Sequence, residues 1–291
     1  MRRVSTVAEV RQWASTQRAA GRTLALVPTM GALHAGHLSL VAVAQSRGAA
    51  VAMSVFVNPT QFGPGEDWER YPRDVEADAA KAEAAGVELL FAPGAGEMYP
   101  GGEGIAVDPG QLAQIWEGAQ RPGHFRGVAT VVAKLLNVFT PDLAVFGQKD
   151  AQQVVVVRQL IRQLHFPTRL LVGPTVRDHD GVALSSRNVY LDERQRRAAP
   201  VLRAALEDGL SRLRSGERDP RAVEEALGVR LATEPLGSVD YAAAVAADTL
   251  ERPRVLTGRV LLLVAMRFGS TRLLDNACVE IVGREVQSAL P

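Results

Sequence analysis

The sequence predicts an α/β protein: a Rossmann-like, doubly wound parallel sheet followed by a smaller C-terminal α+β domain. Short apolar runs alternate with helical patterns up to Pro174, which is typical of parallel strands joined by helices. The first of these runs ends in a loop that contains glycine and histidine. After Pro174 the segments become longer and more charged. We therefore expect one domain over residues 1–175 and a second, over residues 176–291, that closes over the site of the first.

The strands of the first domain are predicted from short apolar runs, partly β-branched, that stop at Pro, Gly or Asn. They cover residues 24–27, 49–57, 87–92, 143–146 and 168–172. Helices are predicted from charged and apolar residues at helical spacing, and Gly21 and Gly86 are C-caps of two of them. They cover residues 4–20, 74–85, 128–139 and 151–164, besides one that begins at the histidine loop. Residues 93–127 show little periodicity and form a candidate lid or pocket wall.

The smaller domain is predicted from segments that no longer alternate regularly. Two charged helices cover residues 192–214 and 220–233, and two strands cover residues 239–245 and 259–268. This order predicts an α+β arrangement, with the hinge between the domains near residues 174–178.

Composition and charge exclude several classes of protein. Lys and Arg total 33 against 32 for Asp and Glu, a formal charge of +1, and aromatic residues make up 5% of the chain. Neither nucleic acid nor a membrane surface is therefore an expected partner. The longest apolar run, residues 49–57, is about half the length of a membrane-spanning helix. Cys278 is the single cysteine and cannot form an internal disulfide, so we expect a reducing, cytoplasmic location.

The chain is organised around residues 24–43, which predict a strand, a loop and a helix. His34 and His37 lie three residues apart at the predicted helix start, so both can reach one ligand. A helix N-terminus offers free N–H groups and a positive dipole end, which favour phosphate. Gly36 would let a ligand approach the backbone closely. The sequence therefore predicts a nucleotide phosphate site, and the alternative is a helix cap with two incidental histidines.

Four further polar clusters carry side chains suited to binding, and three of them directly follow a predicted strand. They lie at residues 56–62, 121–127, 146–153 and 185–188. The amides of Asn58 and Gln61 can hold hydroxyls or a carboxylate, and Arg121 can bind a carboxylate bidentately. Taken alone, three of the clusters are equally well explained as a surface loop, a polar turn or a solvated helix start, and Asn58 and Gln61 are better explained as turn residues. Their joint placement at strand ends favours a binding site.

Together these motifs resemble a known family. PTMGALHAGH resembles the HIGH-type signature of the nucleotidyltransferase superfamily, and ALSSRN resembles its second, KMSKS-like signature. The chain also contains, in this order, FVNPTQF, YPR, GHFRGV, FGQKDAQQ and RDHDGVALSSRN. With them it resembles the pantothenate synthetase (pantoate–β-alanine ligase) family over about residues 24–191.

The resemblance implies a two-step ligase reaction of pantothenate biosynthesis. Pantoate would attack the α-phosphorus of ATP to give pantoyl adenylate and pyrophosphate, and β-alanine would then displace AMP. It also implies Mg²⁺ and a homodimer. No covalent enzyme intermediate is implied, which agrees with a sequence that shows no Ser/His/Asp or Cys/His set.

The resemblance also implies roles for individual residues. The residues of the catalytic group are His34, His37, Lys149 and Arg187. Those that contact ATP are Met30, Gly31, Gly147, Lys149, Asp150, Val176, Leu184, Ser185, Ser186 and Arg187. Those around pantoate are Gln61 and Gln153, with Asn58, Arg121 and His124 less directly. Asp78 matches a position associated with Mg²⁺, acting mainly through the ATP phosphates.

The chain departs from the family pattern at two positions. The usual FGEKD has Gln148 in place of Glu, and the usual YPRT has Asp74 in place of Thr, an equally good N-cap. Two rival functions stay open. One is an adenylyltransferase that uses the same ATP site on a phosphorylated acceptor, which would need an additional cationic pocket. The other is a nucleotide-sensing protein without turnover, although both phosphate clusters retain every charged or hydroxyl residue.

Overall fold

The computed structural model describes residues 1–102 and 104–291, which form two compact units. The first unit contains Met1–Gly147 and Val156–Gly173, and the second contains Gln148–Val155 and Pro174–Pro291. The chain therefore passes into the second unit directly after a strand, returns within a helix, and leaves the first unit again at Pro174.

The first unit is built on a six-stranded parallel sheet. Its strands are β1 (Arg2–Val4), β2 (Leu24–Thr29), β3 (Ala50–Val55), β4 (Leu89–Phe91), β5 (Leu143–Gly147) and β6 (Arg169–Gly173). Their order in the sheet is β1-β4-β3-β2-β5-β6, with every neighbouring pair parallel. The order reverses between β2 and β5, and doubly wound sheets bind their ligands beyond the carboxyl ends of the strands at such a point. The α/β prediction is confirmed.

Helices accompany these strands along the chain. They are α1 (Val7–Ala19), α2 (Ala35–Gln45), α3 (Val75–Ala84), α4 (Ala95–Met98), α5 (Glu117–Gln120), α6 (His124–Phe139) and α7 (Ala151–Gln163). Asp74 caps α3 as expected, because its side chain accepts the N–H of Ala77 at 2.9 Å. The central strands β2 and β3 are almost entirely buried, which explains their continuous apolar runs.

Two predictions for this unit are wrong. The helix predicted over residues 4–20 begins at Val7, because Val4 belongs to a short strand whose pairing with residues 89–91 of β4 has no local signal. The segment 93–127 is not a long unstructured connection, because it contains α4, α5 and the first turn of α6. The sequence does not predict that turn because a glycine lies at each end of it. The structure requires both glycines: Gly123 has φ +85°, and a Cβ on Gly127 would lie 2.3 Å from the carbonyl oxygen of Thr60.

The second unit is built on a four-stranded antiparallel sheet. Its strands are β7 (Gly237–Ala246), β8 (Gly258–Phe268), β9 (Thr271–Val282) and β10 (Glu285–Ser288), in the order β10-β9-β8-β7. Its helices are α8 (Glu193–Ala198), α9 (Val201–Arg214) and α10 (Pro220–Ala232). Leucines such as Leu206, Leu227 and Leu262 join α9, α10 and β8 in one buried cluster. The predicted α+β character is confirmed.

The second unit also differs from prediction. The helix expected over residues 192–214 is two helices, because Pro200 has no N–H to continue α8. Strands β9 and β10 were not predicted, and β9 carries Cys278, which is buried. In the part of the chain that the structure describes, no helix combines the length and the apolar character needed to cross a membrane.

Candidate active site

Two stacked imidazoles lie at the amino end of α2. Nδ1 of His34, the N-cap residue, accepts the N–H of Gly36 at 3.1 Å, and the N–H of His34 donates to Nδ1 of His37 at 3.4 Å. The ring centroids are 4.1 Å apart. Because each Nδ1 accepts a main-chain N–H, each neutral ring carries its proton on Nε2. The expected room for a ligand at Gly36 is taken by the His34 ring, since a Cβ there would lie 2.9 Å from Cε1 of His34.

The loop before His34 is held by α3. Gly31 and Ala32 have φ of +88° and +51°, a conformation that a non-glycine residue such as Ala32 rarely adopts. The buried carboxylate of Asp78 accepts the N–H of Ala32 at 2.9 Å on one oxygen and that of Leu33 at 2.7 Å on the other. Nζ of Lys81, one turn further along α3, donates to the carbonyl oxygen of Leu33 at 2.8 Å. These three hydrogen bonds fix the loop that presents the histidines.

The carboxylate of Asp78 and those of one acidic cluster are engaged by other groups of the protein. Asp78 is 2% exposed, both of its oxygens already accept main-chain N–H groups, and among the described residues it belongs to no group of three potential metal ligands. Among the described residues, one group of three potential ligands comes within 4.8 Å, namely Asp178, His179 and Asp180. The guanidinium of Arg196 pairs with both of those carboxylates, at 2.7 and 2.5 Å, and so occupies the place of a cation. These contacts do not favour the metal role predicted for Asp78.

A buried amide cluster follows β3. Nδ2 of Asn58 donates to Oε1 of Gln61 at 3.0 Å and to the carbonyl oxygen of Gly127 at 3.2 Å, while Oδ1 accepts the hydroxyl of Tyr99 at 2.7 Å. Nε2 of Gln61 lies 2.9 Å from Sδ of Met30. Both amide hydrogens of Asn58 are therefore used within the protein. Its contacts orient the side chain of Gln61, beside the loop that carries Met30.

Arg121 and His124 hold the main chain of the same cluster. The Arg121 guanidinium makes a two-point ion pair with Glu66, at 2.8 and 2.6 Å, and Nη1 lies 3.1 Å from Nε2 of His124. Nδ1 of His124 lies 2.8 Å from the carbonyl oxygen of Gln61, so Nδ1 carries the proton and Nε2 accepts. Burial, and then the charge of Arg121, lowers the pKa of His124 to about 4. His124 is therefore neutral at pH 7.

In the second unit, Lys149 lies in a short 3₁₀ turn that leads into α7. Its Nζ is 3.1 Å from Oδ1 of Asp150. Nδ2 of Asn276, on β9, donates to the carbonyl oxygens of Gln148 and Lys149 at 2.9 and 2.8 Å. Gln153 follows in the first turn of α7. The main chain of this turn is thus held by a residue of β9.

A hairpin after β6 carries the remaining predicted residues. The N–H of Leu184 donates to the carbonyl oxygen of Val176 at 3.0 Å, and Arg177 pairs with Ala183 in an isolated antiparallel bridge. Oγ of Ser185 then accepts the N–H of Arg187 at 3.3 Å and caps the 3₁₀ turn Ser186–Tyr190. Hydroxyls and a guanidinium presented on such a turn suit the oxygens of a phosphate.

A comparison with models of known protein families assigns this chain to a family. Residues 2–278 match the family model described as pantoate-beta-alanine ligase. The chain belongs to this family. The matched range includes every residue that the sequence analysis placed in the site.

Curated relatives and solved structures of the ligase family agree with this assignment. The chain is 52% identical to pantothenate synthetase from Chloroflexus aurantiacus over 285 residues, 98% of this chain and 100% of the relative. It is 46% identical to the one from Acetivibrio thermocellus over 281 residues, 97% and 100% of the two chains.

Among solved structures, pantothenate synthetase from Thermus thermophilus matches with a TM-score of 0.88 at 48% identity, covering 95% of this chain and 98% of the other. The pantoate-beta-alanine ligase from Francisella tularensis, complexed with beta-gamma ATP and β-alanine, matches with a TM-score of 0.78 at 31% identity, covering 95% and 97%.

Within each unit of this ligase-family chain, several of the predicted site residues contact one another. In the first unit, one cluster contains Met30, Asn58, Gln61, Arg121 and His124. His34 lies against His37, and Asp78 binds the loop after Gly31. Gly147 is the last residue of β5. The second unit joins Lys149 to Asp150, Val176 to Leu184 and Ser185 to Arg187, with Ser186 in the same turn and Gln153 on α7.

Five residues that support this machinery were missed by the sequence analysis. They are Glu66, Lys81, Tyr99, Asp275 and Asn276. Each acts on a segment that is distant in sequence, so no local spacing indicates it. The adjacent polar pair at 275–276, inside an otherwise apolar stretch, is the one signal that the sequence offers.

Proposed function

We propose that this chain condenses pantoate with β-alanine in an ATP-dependent reaction that yields pantothenate, AMP and pyrophosphate. The observation that carries the proposal is the stacked His34–His37 pair at the amino end of α2, in a chain that matches the ligase family over residues 2–278. The ATP and β-alanine in the Francisella tularensis relative support the same substrates here. The amide cluster around Gln61 suits a hydroxy acid better than a phosphorylated acceptor, which would need cationic side chains.

The reaction is proposed to run through pantoyl adenylate. A carboxylate oxygen of pantoate forms a bond to the α-phosphorus of ATP, and pyrophosphate leaves with the electron pair of the broken P–O bond. The free amine of β-alanine then attacks the carbonyl carbon of the adenylate, loses a proton and displaces AMP. Both steps need positioning and charge stabilisation, and neither needs a protein nucleophile.

The phosphates are proposed to be held by four side chains. His34 and His37 offer Nε2–H groups, and Lys149 and Arg187 offer positive charge as negative charge builds on the transferring group. The other ATP contacts are proposed for Met30, Gly31, Gly147, Asp150, Val176, Leu184, Ser185 and Ser186. Mg²⁺ is proposed to enter as the ATP complex, bound by phosphate oxygens and water, as Mg²⁺ prefers.

Pantoate is proposed to contact Gln61 and Gln153 through their amides. We assign Asn58, Arg121 and His124 to holding Gln61, because their polar atoms contact Gln61 or its immediate neighbours. A cytoplasmic location is proposed because the family is biosynthetic and because the sequence contains a single cysteine, Cys278. A homodimer is proposed from the family resemblance, and light scattering on the purified protein tests it.

Pyrophosphate exchange into ATP tests the proposed function. Exchange with MgATP and pantoate, β-alanine omitted, is expected, and omission of pantoate should abolish it. His34→Ala, His37→Ala and Lys149→Ala should each lower the rate by about 10²–10³-fold, the effect of removing a preorganised donor. Arg11→Ala, an exposed change on α1, is the matched control and should leave the rate unchanged. Exchange that does not need pantoate, or none at all, would overturn the proposal.

A further inference from the structure

Two adjacent polar residues lie in the middle of the buried strand β9. Asp275 and Asn276 are 4% and 2% exposed, and they pair in register with Val264 and Leu263 of β8. Polar groups in such a position destabilise a protein unless hydrogen bonds satisfy them. Because successive residues of a strand point to opposite faces, the two side chains leave β9 in opposite directions. They therefore reach two different segments of the second unit.

Asn276 reaches the turn that carries Lys149. Its Nδ2 donates to the carbonyl oxygen of Gln148 at 2.9 Å and to that of Lys149 at 2.8 Å. Carbonyl oxygens only accept, so the nitrogen of the amide must face them, and both of its hydrogens are used. Two hydrogen bonds to successive carbonyls restrain the two peptide planes that flank the Cα atom of Lys149. The direction in which the Lys149 side chain leaves the backbone follows from the orientation of those planes.

Asp275 reaches the hairpin that carries Ser185, Ser186 and Arg187. Its two oxygens accept Nη1 and Nη2 of Arg177 at 2.5 and 2.9 Å, a two-point pairing that fixes direction as well as distance. Nη1 of Arg177 also donates to the carbonyl oxygen of Gly181, at the tip of the hairpin. One oxygen of Asp275 accepts the N–H of Asn276 at 2.7 Å, which couples the two residues.

We propose that Asp275 and Asn276 are positioning residues for adenylate formation: they hold Lys149 and the Ser185–Arg187 turn in one fixed relation through β9. The proposal rests on the proposed function, in which both segments bind ATP phosphates. Two segments far apart in sequence are fixed by neighbouring residues of one rigid strand, so their phosphate donors keep a constant spacing. Such pre-organisation is what an enzyme that stabilises developing charge requires.

A double-variant comparison tests whether Asn276 acts through Lys149. Asn276→Leu keeps the side-chain volume and removes both donors. It is expected to lower pantoate-dependent pyrophosphate exchange about 10²-fold, the effect of a misplacement near 1 Å. In the Lys149→Ala background the same change should lower the remaining rate by less than about twofold, because the group that it misplaces is gone. A merely structural role would reduce the rate equally in both backgrounds.

The control is Cys278→Ala, a buried change two residues along the same face of β9. It should lower the melting temperature and leave the exchange rate near that of the wild type. If Asn276→Leu does not fold, Asn276→Gln replaces it in the same comparison, since the longer amide keeps the donors and displaces them. For Asp275, the matched comparison is Asp275→Asn alone and in an Arg187→Ala background, where its effect on the KM for ATP should largely disappear.

The wild-type measurement separates this inference from the function on which it rests. If the wild type shows no pantoate-dependent exchange, the proposed function fails first. If the wild type exchanges and folded Asn276→Leu exchanges at the same rate, the positioning role is refuted. Equal losses in the presence and absence of the Lys149 side chain would refute it as well.

Discussion

Removing the carboxylate of Asp78 should release the loop that presents His34. Its two oxygens accept the N–H groups of Ala32 and Leu33 at 2.9 and 2.7 Å, in a site that is 2% exposed. A hydrogen bond to a charged group contributes about 1.5–3 kcal/mol, and a buried donor left without a partner is unfavourable. Asp78→Ala should therefore lower the free energy of unfolding by about 3–6 kcal/mol, measured by urea denaturation. Asp78→Asn, which keeps one acceptor, should lose roughly half as much.

The same variants separate loop support from metal binding. With the loop released, pyrophosphate exchange should slow in Asp78→Asn, while the Mg²⁺ concentration at half-maximal rate stays within about twofold, a difference below 0.5 kcal/mol. Glu76→Gln, an exposed carboxylate-to-amide change on the same helix, is the control and should alter neither quantity. A stable Asp78→Asn protein whose Mg²⁺ requirement rises tenfold or more, about 1.4 kcal/mol, would refute this reasoning and restore Asp78 as a metal contact.

Two further predictions concern the cluster around Gln61 and one helix. Because burial lowers the pKa of His124 to about 4, the unfolded chain binds more protons than the native one between pH 6.5 and 4. The free energy of unfolding should fall by about 3 kcal/mol across that range, and His124→Gln should flatten the dependence; an equally steep curve in the variant would contradict the assignment. Gly127→Ala would place a Cβ 2.3 Å from the carbonyl oxygen of Thr60 and should destabilise the protein by about 1–3 kcal/mol in thermal unfolding. Gly228→Ala, in α10, would place a Cβ with nothing within 4 Å and should stabilise the protein by about 0.5–1 kcal/mol. A Gly127→Ala protein as stable as the wild type would contradict the predicted clash with Thr60.

The elements that the sequence predicts are those whose signal is local. β2 and β3 have six residues each and are mainly apolar, because the strands of a parallel sheet are buried on both faces, and α3 begins at a capping aspartate. β1 has three residues and depends on pairing with β4, so its own composition says little. β9 escapes prediction because Asp275 and Asn276 interrupt its apolar pattern. Their hydrogen bonds go to residues about a hundred positions away, which no window along the chain contains.

In the candidate site, too, the features that the sequence predicts are those with a local signal. The His34–His37 pair is predictable because both residues lie within one helical turn, and their spacing fixes their neighbourhood. The partners of Arg121 and His124 could not be inferred, because Glu66 and the carbonyl oxygen of Gln61 come from another loop. Sequence alone therefore suggested a carboxylate site at Arg121. The structure shows that a carboxylate of the protein, that of Glu66, already occupies the guanidinium.

The main-chain support of the Lys149 turn also explains how the chain can depart from the family pattern beside Lys149. Gln148 stands where the family usually has Glu, and the two side chains differ in charge but share one backbone. Asn276 binds the carbonyl oxygens of Gln148 and Lys149, groups that any residue supplies. The substitution therefore leaves both hydrogen bonds in place. If Asn276 has the proposed positioning role, the turn that carries Lys149 constrains the residue at position 276 and not the one at position 148.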